Sequence, residues 1–380
     1  MSLRLGVPKE ITSGERRVAL VPDVVARLVK KGFTVVVEKD AGKSAFFSDD
    51  AYRNAGAEIA DNASAVYAAA DIVLRVQPPS LEEIGALKGS SIVIGLMAAH
   101  ANIDRVRRMQ EKGLTSFSLE LVPRITRAQA MDVLSSQATV AGYKAALMAA
   151  NMTGRFLPML TTAAGTIRPA KVLIMGAGVA GLQAIATMRR LGAIVEAYDV
   201  RRAAGEQVQS LGAKFLALEI DAEGSGGYAR ELTAEEKVRE QEMLARHVGE
   251  ADAVITTAQI PGRAAPRLIS RAMVERMKPG SVVIDLAAES GGNCELTKAG
   301  EVVDHHGVSV VGPVNIAATL PVHASEMYAK NMMSFLGLFS DDGSALTIDW
   351  NDEIIKGSVV TREGRIMNEA VRKLAEGGSS

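Results

Sequence analysis

At 380 residues the chain is long enough for two domains, each with its own core. Hydrophobic residues make up 48% and charged residues 23%, the balance of an ordinary globular protein, and a net charge of -1 gives no general pull toward nucleic acid or an anionic membrane. The one cysteine, Cys294, excludes an internal disulfide framework, suits a reducing cytoplasm, and reads as a small residue near a strand end rather than a nucleophile.

The N-terminus runs directly into an apolar strand without the basic-then-apolar order of a secretory signal. The richest apolar stretch, residues 141–160, is interrupted by Lys144, Asn151 and Arg155, so the chain is not expected to span a membrane by itself. Residues 3–7 read as a strand, and a helix with Pro22 at its start stops at Gly32, the usual placement of proline and glycine. Strands are predicted at 33–38, 72–76, 91–96 and 116–121, alternating with helices at 49–54, 80–87 and 103–112. A long helix is predicted from Arg127 to about Asn151, after which Gly154, Pro158, Gly165 and Pro169 break the chain. Further strands at 214–218, 253–257, 281–286 and 308–311 follow, then a long helix over 321–339 and a tail in which Trp350 reads as a packing residue. Residues 221–242 open with DAEGSGGYARE, a non-periodic segment longer than connections in compact domains usually are, which fits either disorder or a functional lid.

Strands alternating with helices imply α/β architecture: two Rossmann-like doubly wound parallel-sheet domains joined by long helices. The predicted division is residues 1–135 plus 320–380 for the first domain and 136–319 for the second.

Residues 171–200 carry the strongest local signal. An apolar run enters Gly176-Ala-Gly178-Val-Ala-Gly181, a helical pattern follows, and a second strand closes at Asp199, 18 residues after Gly181. Gly176 permits a tight turn, Gly178 lets backbone approach a pyrophosphate, and Gly181 lets helix and strand pack closely. The helix N-terminus faces the negative charge, so this is a dinucleotide site in its full strand–turn–helix context. Asp199 favours the free ribose of NAD over the phosphorylated ribose of NADP, although Arg201 and Arg202 beside it argue the other way.

A second polar group, Arg124, Gln129, Asp132 and Ser135, follows the first domain's last strand, where open α/β sheets place ligands. On a helix, Gln129, Asp132 and Ser135 would share one face; the alternative is a solvated face with a capping interaction. General acids and bases are scarce. His100, His247, His305, His306 and His323 are scattered, and an adjacent pair on a strand would point to opposite faces, so all five read as structural or surface residues and no metal is expected.

VPKE at 7–10, RRVAL at 16–20, the GAGVAG turn, IPG at 260–262, MKPGSVVIDLA at 277–287 and ESGGN at 289–293 resemble the alanine dehydrogenase and nicotinamide nucleotide transhydrogenase superfamily. RITRAQAMDVLSSQ, AAGT at 163–166 and GGYARE at 226–231 are similar to the NAD(H)-binding component of proton-translocating transhydrogenase, and the likeness covers about residues 3–370. The amino-acid dehydrogenase branch has a lysine where this chain has Arg75, a histidine near Leu96 and Met97, and an aspartate where this chain has Glu289; only Arg17 survives of that set.

The resemblance implies that Arg124, Gln129, Asp132 and Ser135 position the nicotinamide and its ribose. Gly176, Gly178, Val179 and Gly181 would take the pyrophosphate, with Asp199, Val200 and Arg201 at the adenosine end. Gly227 and Tyr228 belong to a loop that closes over nucleotide in the family, with Gln241 and Gln259 contributing. It further implies a homodimer at the cytoplasmic face, an NADP(H)-binding subunit or domain, and a membrane proton-channel subunit as partners. An alanine-type dehydrogenase and a non-catalytic NAD(H)-responsive module are the competing readings.

Overall fold

Alternation of short, fully apolar strands with amphipathic helices resolves into two separate sheets, as expected for α/β sequence order. The structure is a computed structural model describing residues 2–217, 233–259, 264–340 and 342–377. The chain divides into one unit of Met1–Gln137 with Ala317–Ser380 and a second of Ala138–Ile316.

In the first unit, β1 (Arg4–Val7), β2 (Thr34–Glu38), β3 (Glu58–Ala60), β4 (Ile72–Leu74), β5 (Ile92–Gly95) and β6 (Thr115–Ser118) run parallel. Strand β1 lies between β2 and β4, so the chain winds outward in one direction and then crosses to the other. The returning chain adds β16 (Val359–Arg362) and β17 (Arg365–Ile366) antiparallel at the β6 edge. Strands covered on both faces need apolar side chains throughout, and β4 and β5 are buried at every position. The Pro22–Lys30 helix lays Val24, Val25 and Leu28 on this sheet, and the Pro321–Leu336 helix contributes Tyr328, Met332 and Phe335 to the same core. Trp350 stacks on Phe117 at 6.1 Å and carries the Arg362 guanidinium 3.7 Å above its ring, the packing role read from sequence.

The second unit begins with a small hairpin, β7 (Leu160–Thr162) and β8 (Gly165–Ile167), where glycine and proline had indicated only a broken chain. Its main sheet holds β9 (Lys171–Met175), β10 (Ile194–Tyr198), β11 (Lys214–Phe215), β12 (Ala253–Thr256), β13 (Val282–Asp285), β14 (Val302–His305) and β15 (Val308–Val311). The order is β11-β10-β9-β12-β13-β15-β14, parallel except for β14 at the edge. The reversal of winding falls between β9 and β12, the topological switch point at which open α/β sheets bind ligands.

Three expectations are corrected. The helix predicted from Arg127 is a 3-10 turn over Thr126–Met131 followed by an α-helix over Val133–Met152, because Asp132 leaves helical geometry at ψ 88°. The strand predicted to Leu121 ends at Ser118 and passes into a 3-10 turn over Leu119–Leu121. Of the segment 221–242, residues from Ala234 onward form the Ala234–Glu250 helix; its glutamate, lysine, arginine and leucine content favours helix, and Leu244, Ala245 and Val248 anchor it. The stretch up to residue 232 lies outside the described residues.

Within the second unit, the Val133–Met152 helix meets the start of the Val179–Arg190 helix so closely that a Cβ on Gly142 would stand 2.0 Å from the Ala180 carbonyl oxygen. Alanine ordinarily improves a helix interior by about 1 kcal/mol over glycine, but here overpacking costs about 1–3 kcal/mol. Gly142→Ala is therefore expected to lower the thermal unfolding midpoint by several degrees in calorimetry; a raised midpoint would contradict this contact.

Candidate functional site

The glycine turn after β9 is built by close approach. Gly176 has φ +103°, and a Cβ there would lie 2.5 Å from Thr257 Oγ1. A Cβ on Gly181 would lie 1.8 Å from the Gly176 carbonyl oxygen, so no other residue lets the Val179–Arg190 helix start so close to the strand. Gly178 differs: nothing stands within 4 Å of its Cβ direction. That open side fits a pyrophosphate approaching the helix N-terminus, and Val179 and Val200 are 42% and 54% exposed around it.

Asp199, at the end of β10, accepts from the amides of Ala177 (2.7 Å) and Arg201 (2.8 Å) and from the Arg201 Nε (2.9 Å) and Nη2 (3.0 Å). Burial pushes its pKa up, but the Arg201 guanidinium and the two amides outweigh this and hold the carboxyl below its usual range. Arg201 is thus folded back on Asp199, and the carboxylate fixes both the glycine turn and the arginine.

Two residues that sequence reasoning missed complete this corner. Thr257 Oγ1 donates to the Gly176 carbonyl at 3.0 Å, and Asn293, fully buried, exchanges hydrogen bonds with the Ala258 amide (3.1 Å) and carbonyl (2.8 Å). Asn293 was visible within the ESGGN motif; Thr257 had no signal beyond its place at a strand end. Gln259 Nε2 donates to the Leu286 carbonyl at 2.8 Å, one strand away from the fingerprint. Gln241 lies exposed within the Ala234–Glu250 helix, while Gly227 and Tyr228 lie outside the described residues.

In the first unit, the structure joins Asp132 and Ser135 directly: Asp132 Oδ1 accepts from the Ser135 amide at 2.9 Å and Oδ2 from the Ser135 hydroxyl at 2.6 Å. This is the capping arrangement at the head of the Val133–Met152 helix. Gln129 sits in the preceding 3-10 turn, its carbonyl accepting from the Asp132 amide at 3.3 Å, and the Arg124 and Gln129 side chains are exposed. The turn is held by Asn331 Nδ2 on the Ala130 carbonyl (2.8 Å) and Arg127 on Asp352 (2.7 Å).

The arginines nearest to an amino-acid-binding pattern are already engaged. Arg17, 4% exposed, gives Nε and Nη2 to Glu15 at 2.9 and 2.7 Å and Nη1 to Gln137 at 2.8 Å. Arg75, 1% exposed, is held between Glu83 (2.5 Å) and Glu10 (3.3 Å), with Tyr67 donating to Glu83 at 2.9 Å. Burial pushes the Glu10 carboxyl up despite Arg75. At Glu15 burial pushes the same way, yet its hydrogen bonds and charge pairing with Arg17 prevail and take the pKa down to about 2.

Of the histidines, His247 Nδ1 pairs with Glu196 at 2.7 Å, and His100 and His323 are exposed. The expectation that His305 and His306 face opposite ways fails: β14 ends at His305, His306 turns the chain at φ +54°, and the rings meet at 4.4 Å. Cys294 is buried, and burial pushes its thiol pKa up, leaving no activated nucleophile there. Among the described residues no helix is long and apolar enough to cross a membrane.

A glycine turn at the switch point of a doubly wound sheet, paired with a second α/β unit, defines a two-sheet protein of the Rossmann-like dinucleotide-binding class. The sequence pattern of the alanine dehydrogenase/PNT C-terminal domain matches residues 145–369, and that of the N-terminal domain matches residues 6–141. The chain is 44% identical to the first of the polypeptides that make up NAD(P) transhydrogenase subunit alpha in Rhodospirillum rubrum, over 97% of this chain and 99% of that one. A crystal structure of transhydrogenase from Sinorhizobium meliloti superposes with a TM-score of 0.85 at 44% identity, covering 97% of this chain and 99% of that chain. Alanine dehydrogenase of Mycobacterium tuberculosis (strain ATCC 25618 / H37Rv) is 29% identical over 97% of this chain and 96% of its own. The chain belongs to the alanine dehydrogenase/PNT family, in its branch of NAD(P) transhydrogenase alpha subunits.

Because the folded-state pKa of Glu15 is depressed, its contribution to stability is full above the ordinary value of 4.5 and is lost as pH falls toward about 2. Glu15→Gln leaves Arg17 buried without its counter-charge and is expected to cost about 3–5 kcal/mol at neutral pH. In urea titrations the gap between parent and variant is expected to narrow below pH 4.5; a gap independent of pH would mean the carboxylate charge is not what stabilises the pair.

Proposed function

We propose that this chain is the NAD(H)-binding subunit of a proton-translocating transhydrogenase, passing hydride from NADH to NADP+ held on a partner subunit. The observation that carries this reading is the combination of an open glycine turn for dinucleotide with Arg17 and Arg75 both neutralised by buried carboxylates. An amino-acid dehydrogenase needs a free cation for its substrate carboxylate and a base for its amine. Direct transfer between two nicotinamide rings breaks no O–H or N–H bond and needs only alignment. Kinship with transhydrogenase alpha subunits supports the same choice.

In this reading, bound NADH supplies the hydride. The Gly176, Gly178, Val179 and Gly181 backbone holds the pyrophosphate, and Asp199, Val200 and Arg201 hold the adenosine end. Arg124, Gln129, Asp132 and Ser135 orient the nicotinamide and its ribose, with Gly227, Tyr228, Gln241 and Gln259 as further contacts. Residues 1–135 with 320–380 form one domain and 136–319 the NAD(H) domain. The working assembly is a homodimer at the cytoplasmic face, with an NADP(H)-binding subunit and a membrane proton-channel subunit as partners.

Purified chain given NADH and an oxidised NADP analogue is expected to exchange hydride only when the NADP-binding partner is added. Oxidation of alanine with NAD+ and no partner would favour the alanine-type reading, and NADH binding without turnover in either assay would favour a sensor. Asp132→Asn keeps the helix cap, since asparagine caps as well as aspartate. It is expected to slow transfer by at least about tenfold while NADH affinity and unfolding midpoint stay near the parent values, a loss of about 1.4 kcal/mol at the transition state. Equal losses of rate and affinity would leave Asp132 with no aligning role.

A further inference from the structure

The hairpin at the edge of the second sheet carries two histidines where a two-residue turn ordinarily carries asparagine and glycine. His305 pairs with Val308 across the antiparallel β14–β15 ladder, so His306 and Gly307 alone make the turn. Their φ values, +54° and +82°, are both positive, as a type I′ turn requires. Histidine is one of the few side chains tolerated there, and its presence brings both imidazoles to one side of the hairpin end.

The turn is also fixed in place. The Gly280 amide donates to the Gly307 carbonyl at 2.7 Å, and Gly307 lies against the Pro279 ring, so the hairpin tip is tied to the segment that follows Glu275. Glu275 is the residue just past the Arg271–Val274 helix, and its Oε1 lies 3.2 Å from His305 Nε2. One donor atom each from Glu275, His305 and His306 falls within 4.8 Å of the other two.

We propose that Glu275, His305 and His306 form a surface site for a divalent transition-metal ion of the zinc type. Ligand bonds of about 2.0–2.1 Å in a tetrahedral site put donor atoms about 3.3 Å apart. The Glu275–His305 pair already has that spacing. His306 is exposed, and closing the remaining gap, at most about 1.5 Å, takes only rotation of its side chain. The His305 side chain, 15% exposed, is held by its surroundings and supplies a preset ligand. Two imidazoles and one carboxylate with no thiolate suit Zn2+, Ni2+ or Cu2+ and not Mg2+ or Ca2+, with the remaining position left to water. Such an ion would clip the edge hairpin to the end of the Arg271–Val274 helix and stabilise the folded unit, because it binds that state alone.

The test uses the full chain without an affinity tag, stripped with EDTA and titrated calorimetrically with ZnCl2. One Zn2+ per chain is expected, with a raised unfolding midpoint that Mg2+ does not reproduce. His306→Asn keeps a residue that accepts positive φ and removes the ligand, so the variant folds. Its Zn2+ affinity and that of Glu275→Gln are each expected to fall by more than about tenfold, since even outer-shell changes at metal sites cost 10–100-fold. Unchanged affinity in both variants, or no binding of the parent at millimolar ZnCl2, would overturn the site.

Discussion

Everything at the dinucleotide corner depends on one contact between two pieces of backbone. Gly181 presses its Cα against the Gly176 carbonyl, where any side chain would overlap an atom by more than an ångström. That contact sets how close the Val179–Arg190 helix comes to β9, and so where its free amides point. Asp199, Thr257 and Asn293 then brace the same turn from β10, from the end of β12 and from the loop after β13. Three neighbouring strands contribute at one end of the sheet, which is the property of a switch point that makes it a binding place.

The first unit repeats the winding of the second without its glycine turn, and its polar interior serves another purpose. Arg17 and Arg75 would be costly to bury alone; with Glu15, Glu10 and Glu83 they form a closed set whose charges and donors face one another. Tyr328 donates to the Arg75 carbonyl at 2.6 Å and Gln77 to Glu15 at 2.7 Å, adding neutral partners to the charged ones. A site whose cations are committed inwardly has none left for a substrate carboxylate. Closure of the network and absence of amino-acid chemistry are one fact seen from two sides.

Much of this was legible in the sequence because periodicity and glycine placement act locally. The strands of both parallel sheets, the Pro22 helix start and the strand–turn–helix of residues 171–200 follow from side-chain patterns that need no tertiary partner. What was not legible depended on particular hydrogen bonds. Asp132 stops the 3-10 turn and caps the next helix by accepting from Ser135, whereas composition alone ran one helix through both. The Leu160–Ile167 hairpin has three-residue strands and mostly exposed side chains, too short a pattern to register. His305 and His306 misled because strand alternation was extended one residue past the strand; VVDHHGVSV, read for turn chemistry, has the His-Gly step between two apolar runs that signals the reversal. The shared descent of the chain decided between readings that the residues of the glycine turn left equal.

The closed charge set of the first unit also bears on ionic strength. Surface pairs such as Arg53 with Asp50, 54% and 83% exposed, lie within reach of mobile counter-ions and fade as salt rises. Arg17 with Glu15, at 4% and 0%, and Arg75 with Glu10, at 1% and 3%, lie where small ions do not enter, so screening leaves them nearly intact. The region of the fold that holds most of its interior charge is therefore the region least sensitive to the salt around it.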